Sequence, residues 1–119
     1  MLKKQNRLTK RKEFAYIYKH GEKTNSKNLS VVSVKSKKKE PRVGFSVNNK
    51  IGKAVVRNRI KRQLRDILRR QIPNLKQFQN FVVVAHPTIV ECDFHKMENE
   101  ILWVLKKGNL LNEQILDDS

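Results

Sequence analysis

Residues 54–70, AVVRNRIKRQLRDILRR, carry seven arginines and lysines against a single acid, Asp66. A guanidinium meets phosphate oxygens through two parallel N–H bonds, whereas lysine supplies a point charge. Such a density of forks is the chemistry of gripping a polyanion. A helix face that merely meets water interleaves acids at four-residue spacing, gaining about 0.2–0.5 kcal/mol per pair. Here Arg62–Asp66 and Asp66–Arg70 are the only such pairs, and Arg62, Arg65 and Arg69 repel one another.

Side chains able to make or break bonds are sparse. His20 precedes Gly21 and is placed to interact with a helix end, and His86 precedes Pro87 at a strand end. Cys92 and His95 have C-x-x-H spacing, but a structural zinc needs two further ligands. Glu91 and Asp93 suit the start of a helix. Glu13, Glu22, Glu40 and Asp66 are too scattered to hold the metals of a protein-only nuclease. The chain is therefore read as a binder without catalytic residues or a metal site of its own.

Composition agrees. The 119 residues suffice for one domain, and the net charge is +16. Residues 1–90 hold 24 basic and 4 acidic side chains, against 3 and 7 in residues 91–119. Such self-repulsion is relieved by a polyanion, and nucleic acid is the usual one. No apolar run approaches the roughly 18 residues of a membrane span, and the basic N-terminus lacks a secretory apolar segment. With Cys92 the lone cysteine, a reducing cytoplasm is expected, with no membrane partner.

The elements that must position these residues follow from periodicity. Thr9 is placed to cap a helix over residues 10–19 that Gly21 ends, with Phe14, Ile17 and Tyr18 at helical spacing. Residues 22–28 read as a connection. LSVVSVKS (29–36) and RVGFSV (42–47) read as strands joined by a KKKEP hairpin turn, whose tip exposes Lys37, Lys38 and Lys39 beside Lys35. The basic helix spans 54–71, before Pro73. FVVVAHP (81–87) has the continuous β-branched run of a central strand. Asp93 caps a helix over 94–107, whose inner face holds Phe94, Met97, Ile101, Leu102, Val104 and Leu105, with Gly108 after it. The tail from residue 109 either frays or extends that helix. At about 100° per residue, Val56, Ile60, Leu64, Ile67 and Leu68 form the core stripe of the basic helix, yet Arg57 lands within it, roughly 60° from Ile60. Either the first turns are not yet closed there, or the guanidinium reaches into a groove.

NNKIGKAVVRNRIKRQLRDILR resembles the signature of the bacterial ribonuclease P protein subunit, whose hallmark is Arg-Asn-Arg, here Arg57-Asn58-Arg59. NRLTKRKEFAYIYKHG is similar to that family's first helix, and RVGFSV and FVVVAHP to two of its strands, so the resemblance covers residues 4–107. It implies an α/β (α+β) sandwich of order α-β-β-β-α-β-α, in which three helices pack a four-stranded sheet. It also implies a left-handed βαβ crossover, where general experience favours the right hand in about 98% of cases.

The resemblance further implies that an RNA subunit, using Mg²⁺, cleaves the 5′ leader from precursor tRNA while the protein grips that leader. By position in the motifs, Phe14, Tyr18, Val32, Lys50 and Arg57 would line the leader cleft. Val32 stands where the family often has an aromatic residue. Arg57, Asn58, Arg59, Lys61, Arg62 and Arg65 would meet the ribonuclease P RNA, and Arg69 and Arg70 lie beyond the matched core. The protein alone is expected to be a monomer, one domain over 1–119. The main rivals are a general RNA-binding or ribosome-associated protein and a major-groove transcription factor; no short helix-turn-helix pair supports the second.

Overall fold

The computed structural model describes residues 3–112. Its elements are α1 (Arg11–His20), β1 (Glu22–Asn25), β2 (Leu29–Lys35), β3 (Arg42–Ser46), α2 (Ala54–Gln71), β4 (Gln79–Ala85) and α3 (Phe94–Lys107), with short 3₁₀ turns between some of them. Three helices and a four-stranded mixed sheet give the expected α+β class.

The sheet order is β1-β2-β4-β3. β4 runs antiparallel to β2, with Val32 opposite Val82, and parallel to β3, with Gly44 opposite Val82. This corrects the expected β2–β3 hairpin. Phe81, Val82 and Val83 are at most 1% exposed, and a strand apolar on both sides gains most at the centre. The 36–41 connection instead passes the start of β4, where Ser36 N donates to Phe78 O (2.8 Å) and Phe78 N to Lys39 O (3.0 Å). The true hairpin is β1–β2. β1, of sequence EKTN and mostly exposed, reads as connection from sequence alone because a polar edge strand has no apolar alternation to betray it.

Each sheet face has its own core. Val31, Val43, Phe81 and Val83 pack with Ile60, Leu64, Ile67 and Leu68 of α2 and Met97, Ile101, Val104 and Leu105 of α3. On the other face Val32 and Val82 pack with Leu8 and Ile17. The strand spacing lets α2 join β3 to its parallel neighbour β4. Leu102 lies only at the margin of the α3 inner face.

Two helix ends differ from expectation. Leu8 N donates to Val43 O (3.0 Å), which keeps the chain extended past Thr9; Lys10 takes the N-cap position, and no side chain caps α1. After α3, Gly108 keeps helical dihedrals and Asn109 adopts φ 57°. Leu110 N then donates to Leu105 O (2.9 Å) and Asn109 N to Lys106 O (3.1 Å), a Schellman closure. Gly108 is wanted for space, because a Cβ there would lie 2.6 Å from Thr24 Oγ1 of β1. Leu110 and Leu111 are buried, and Leu111 bridges Leu75. Residues 109–112 therefore belong to the packed fold and neither fray nor extend the helix; the rest of the expected tail lies outside the described residues.

Asp93 accepts from Lys96 N at the start of α3, as expected. Further along that helix, Glu100 accepts from Ser26 Oγ (2.5 Å), Asn28 N (2.7 Å) and Asn28 Nδ2 (2.7 Å), locking α3 to the β1–β2 turn. Partial burial pushes this carboxyl up, but the Ser26 and Asn28 hydrogen bonds outweigh it and hold the group below the ordinary glutamate range. A lowered carboxyl stabilises the fold above that range, and the contribution is lost as pH falls through it. Glu100→Gln should cost about 1–2 kcal/mol near neutrality, since buried Asn28 donors lose a charged acceptor. It should also flatten the acid decline in stability. Urea unfolding of both proteins from neutral pH to about pH 3 checks this; parallel acid declines would remove Glu100 as the origin.

Candidate nucleic-acid interface

Arg57, Asn58 and Arg59 are consecutive yet point to three places. Arg57 N donates to Lys53 O (3.0 Å), so the helix is already closed at this residue. Of the two explanations for its position, the reach of the side chain is the right one. Nε donates to Gly52 O (3.1 Å) and Nη1 to Asn49 Oδ1 (2.8 Å), tying the guanidinium to the loop after β3. Three of its five N–H donors stay free for a phosphate. Gly52 adopts φ 153°, ψ −164°, a region essentially restricted to glycine, and so presents its carbonyl to Arg57. In the same loop the Asn48 side chain accepts from Lys50 N (3.0 Å), and Lys50 itself is exposed.

Asn58, Lys61, Arg62 and Arg65 share one stripe of α2 and line a groove of about 750 Å³ with Asp66 and with Phe94 of α3. Arg59 is exposed and lies outside it. The structure thus gathers four of the six residues assigned to the RNA subunit and directs Arg57 and Arg59 elsewhere. Phe94 could not be assigned to this surface from sequence, where its helical spacing marks it as core.

The nearby acids are engaged. Asp66 pairs with Arg69 (2.9 Å) and Arg70 (3.1 Å), not with Arg62 as spacing allowed. The Arg69 hydrogen bond, with the charge of Arg70, holds the Asp66 carboxyl below its ordinary value. Arg70 also lies 3.5 Å from Glu98 and 5.5 Å from the centre of the Phe94 ring, so it rivets α2 to α3. Among the described residues no carboxylate lies within 4.0 Å of Arg57, Arg59, Lys61, Arg62 or Arg65.

A second surface lies on the α1 side of the sheet. Phe14 is half-buried over β3, where a Cβ at Gly44 would lie 2.5 Å from Phe14 Cζ. Tyr18 is 47% exposed, its ring 6.5 Å from that of Phe14. Val32 does not join them in the open. It is 4% exposed, packed beneath α1 among Leu8, Ile17 and Val82. The accessible part of this face is one row along, at half-buried Val84 of β4 and Ser46 of β3, toward the end of β3 from which the Lys50 loop departs. Reading both faces of FVVVA as alternating would have found Val84; Ser46 carries no such signal.

The histidines and cysteine take structural places. His86 Nε2 lies 2.8 Å from Ser30 Oγ and Nδ1 3.1 Å from Lys27 O, fastening β4 to the β1–β2 turn. His20, in the last turn of α1 as expected, lies against Tyr16 with ring centres 4.5 Å apart and planes tilted by 41°. Burial, and then the charge of Glu100, push the Cys92 thiol up and disfavour the thiolate. Among the described residues no three or more His, Cys, Asp or Glu side chains gather as metal ligands, and no helix is long and apolar enough to cross a membrane.

Residues 2–109 match the family model described as Ribonuclease P. The "Ribonuclease P protein component" of Cyanothece sp. is 37% identical, over 94% of this chain and 98% of that protein. That of Caldanaerobacter subterraneus is also 37% identical, over 96% and 98%. Among solved structures, the Staphylococcus aureus RNase P protein superposes with a TM-score of 0.84 at 28% identity, covering 90% of this chain and 98% of that one. The Thermotoga maritima RNase P protein gives 0.78 at 30% identity, covering 85% and 96%.

The division of α2 between riveting and free arginines is testable by stability. Arg70→Ala should lower the unfolding free energy by about 0.5–1.5 kcal/mol through lost contacts with Phe94 and Glu98. Arg62→Ala should stay within about 0.5 kcal/mol of the parent. Equal urea midpoints for the two variants would refute the distinction.

Proposed function

The chain belongs to the ribonuclease P protein family, and from that premise we propose how its surfaces divide the work of removing the 5′ leader from precursor tRNA. As the protein component of an endoribonuclease complex it works with ribonuclease P RNA. In our reading that RNA carries the chemistry, and the α2 groove of Asn58, Lys61, Arg62 and Arg65 holds it, with Arg59 on the adjoining flank. Lys61, Arg62 and Arg65 in one groove without a carboxylate partner are the observation that carries the assignment, because such charge is relieved by phosphates and by little else in the chain.

The leader, a single strand, passes over the opposite sheet face. Phe14 and Tyr18 supply stacking surfaces, Ser46 and Val84 the floor, and Lys50 with the free donors of Arg57 the phosphate contacts. Val32 supports the floor from beneath. Arg57, fixed to Asn49 and Gly52, stands where the two RNAs come nearest and serves both. The donor set of the described residues does not suit a resident metal, so we assign Mg²⁺ to the RNA subunit. We place the free protein in the cytoplasm as a monomer.

This division predicts discrimination between substrate and product. Tyr18→Ala should weaken binding of leader-bearing precursor to the holoenzyme roughly five- to 150-fold, the equivalent of about 1–3 kcal/mol of lost stacking. Mature tRNA affinity should hardly change; equal losses for both would refute the leader assignment. If about six phosphates are neutralised, log K for the RNA subunit should fall against log salt with a slope near −4 to −5. Arg59→Ala should make that slope shallower by about one. Cleavage at low Mg²⁺ with a cognate RNA, with and without the protein, tests the role as a whole.

A further inference from the structure

α1 presents two aromatic pairs at four-residue spacing, one on each flank. Phe14 and Tyr18 occupy the flank already assigned. Tyr16 and His20 occupy the other, with ring centres 4.5 Å apart and Tyr16 55% exposed. Tyr16 lines two adjoining grooves, of about 520 and 270 Å³, that also share Val34 and Lys35 of β2. The outer groove reaches Lys76, and the inner one reaches Lys12 and Asn80. An aromatic face beside several lysines is the composition that single-stranded nucleic acid selects.

Two further observations point to a ligand. Asn80 Oδ1 is buried and, among the described residues, has no hydrogen-bond partner. Such an orphan costs on the order of 1–3 kcal/mol and asks for an N–H donor, which a nucleobase has and a phosphate lacks. The one carboxylate of the inner groove is also neutralised, since Arg42 holds Glu13 through Nη1 (2.5 Å) and Nη2 (3.1 Å). Glu22, at the rim of the outer groove, is the acid that a ligand phosphate must avoid.

We propose that the Tyr16/His20 flank of α1 is a second groove for single-stranded RNA. One base lies against the Tyr16 ring with its polar edge toward the half-buried Asn80 amide, and the flanking phosphates lie on Lys35 and Lys76. The protein then holds single-stranded RNA on both sides of one short helix, with the sheet as a common floor. This groove does not depend on the leader assignment, because it uses none of the residues of the Phe14/Tyr18 flank.

The test uses the full chain with a short mixed-sequence oligoribonucleotide at low salt, by calorimetric titration and by amide chemical shifts. Oligonucleotide should bind at this groove in addition to what binds on the α2 groove or the Phe14/Tyr18 flank. Tyr16→Ala should remove this event, or weaken it roughly five- to 150-fold, while Tyr18→Ala leaves it in place. Shifts at Lys35 and Asn80 should saturate with the Tyr16-dependent event. Tyr16 is exposed, so the variant should fold; should circular dichroism show otherwise, Lys35→Ala/Lys76→Ala decides by the same readout. The proposal fails if the RNA-induced shifts at Lys35 and Asn80 are insensitive to Tyr16→Ala. It fails equally if the lysine variant loses binding while a folded Tyr16→Ala does not, or if polyglutamate shifts Lys35 and Asn80 as strongly as the RNA.

Discussion

The fold turns on covering β4 from both sides. Phe81 and Val83 face one way and Val82 the other, all at most 1% exposed, and a strand of this kind is stable only between two layers. α2 and α3 cover one face with a long leucine- and isoleucine-rich interface. The other face receives Leu8 and α1, whose ten residues extend about 15 Å. A helix that short cannot roof a four-stranded sheet. What it leaves uncovered on either flank, with aromatic side chains overhanging, is the surface we assign to RNA.

The same constraint aligns the charges. With Ile60, Leu64, Ile67 and Leu68 committed to the core, the remaining positions of α2 must face outward, and they are mostly arginine. Acids are few in residues 1–90, and two of them are engaged: Glu13 with Arg42, and Asp66 with Arg69 and Arg70. From α3, Glu98 meets Arg70 and Glu100 meets the Asn28 turn. Glu13, Glu98 and Glu100 thus join elements of the fold, and the groove cations go uncompensated. Repulsion among them lowers the stability of the free protein and rises into favourable free energy when a polyanion arrives.

Gly44 and Gly52 link scaffold to surface. The first lets Phe14 descend onto β3, so that an aromatic residue of helical spacing becomes half floor and half wall. The second turns its carbonyl toward Arg57 in a conformation closed to other residues. Without it the guanidinium would keep only Asn49 as an anchor beside the end of β3.

Elements whose signal is local were legible in the sequence. The 3.6-residue stripes of α2 and α3, the Asp93 cap and the apolar run of β4 each reflect burial of a face or satisfaction of a terminus within a few residues. The basic character of the α2 surface was legible for the same reason, as was the family motif that gives it meaning. What tertiary structure decided is whatever depends on partners distant along the chain. β4 displaced the expected β2–β3 hairpin, and β1 became a strand only because β2 offered it an edge. Leu8 pulled the start of α1 past Thr9. Val32 sank beneath α1, and Phe94 came to border the arginine groove. Arg57 found Asn49, and Asp66 chose Arg69 over Arg62. None of these is encoded in periodicity, because hydrogen bonding and burial are satisfied across space, and a residue's spacing constrains only the face on which it starts.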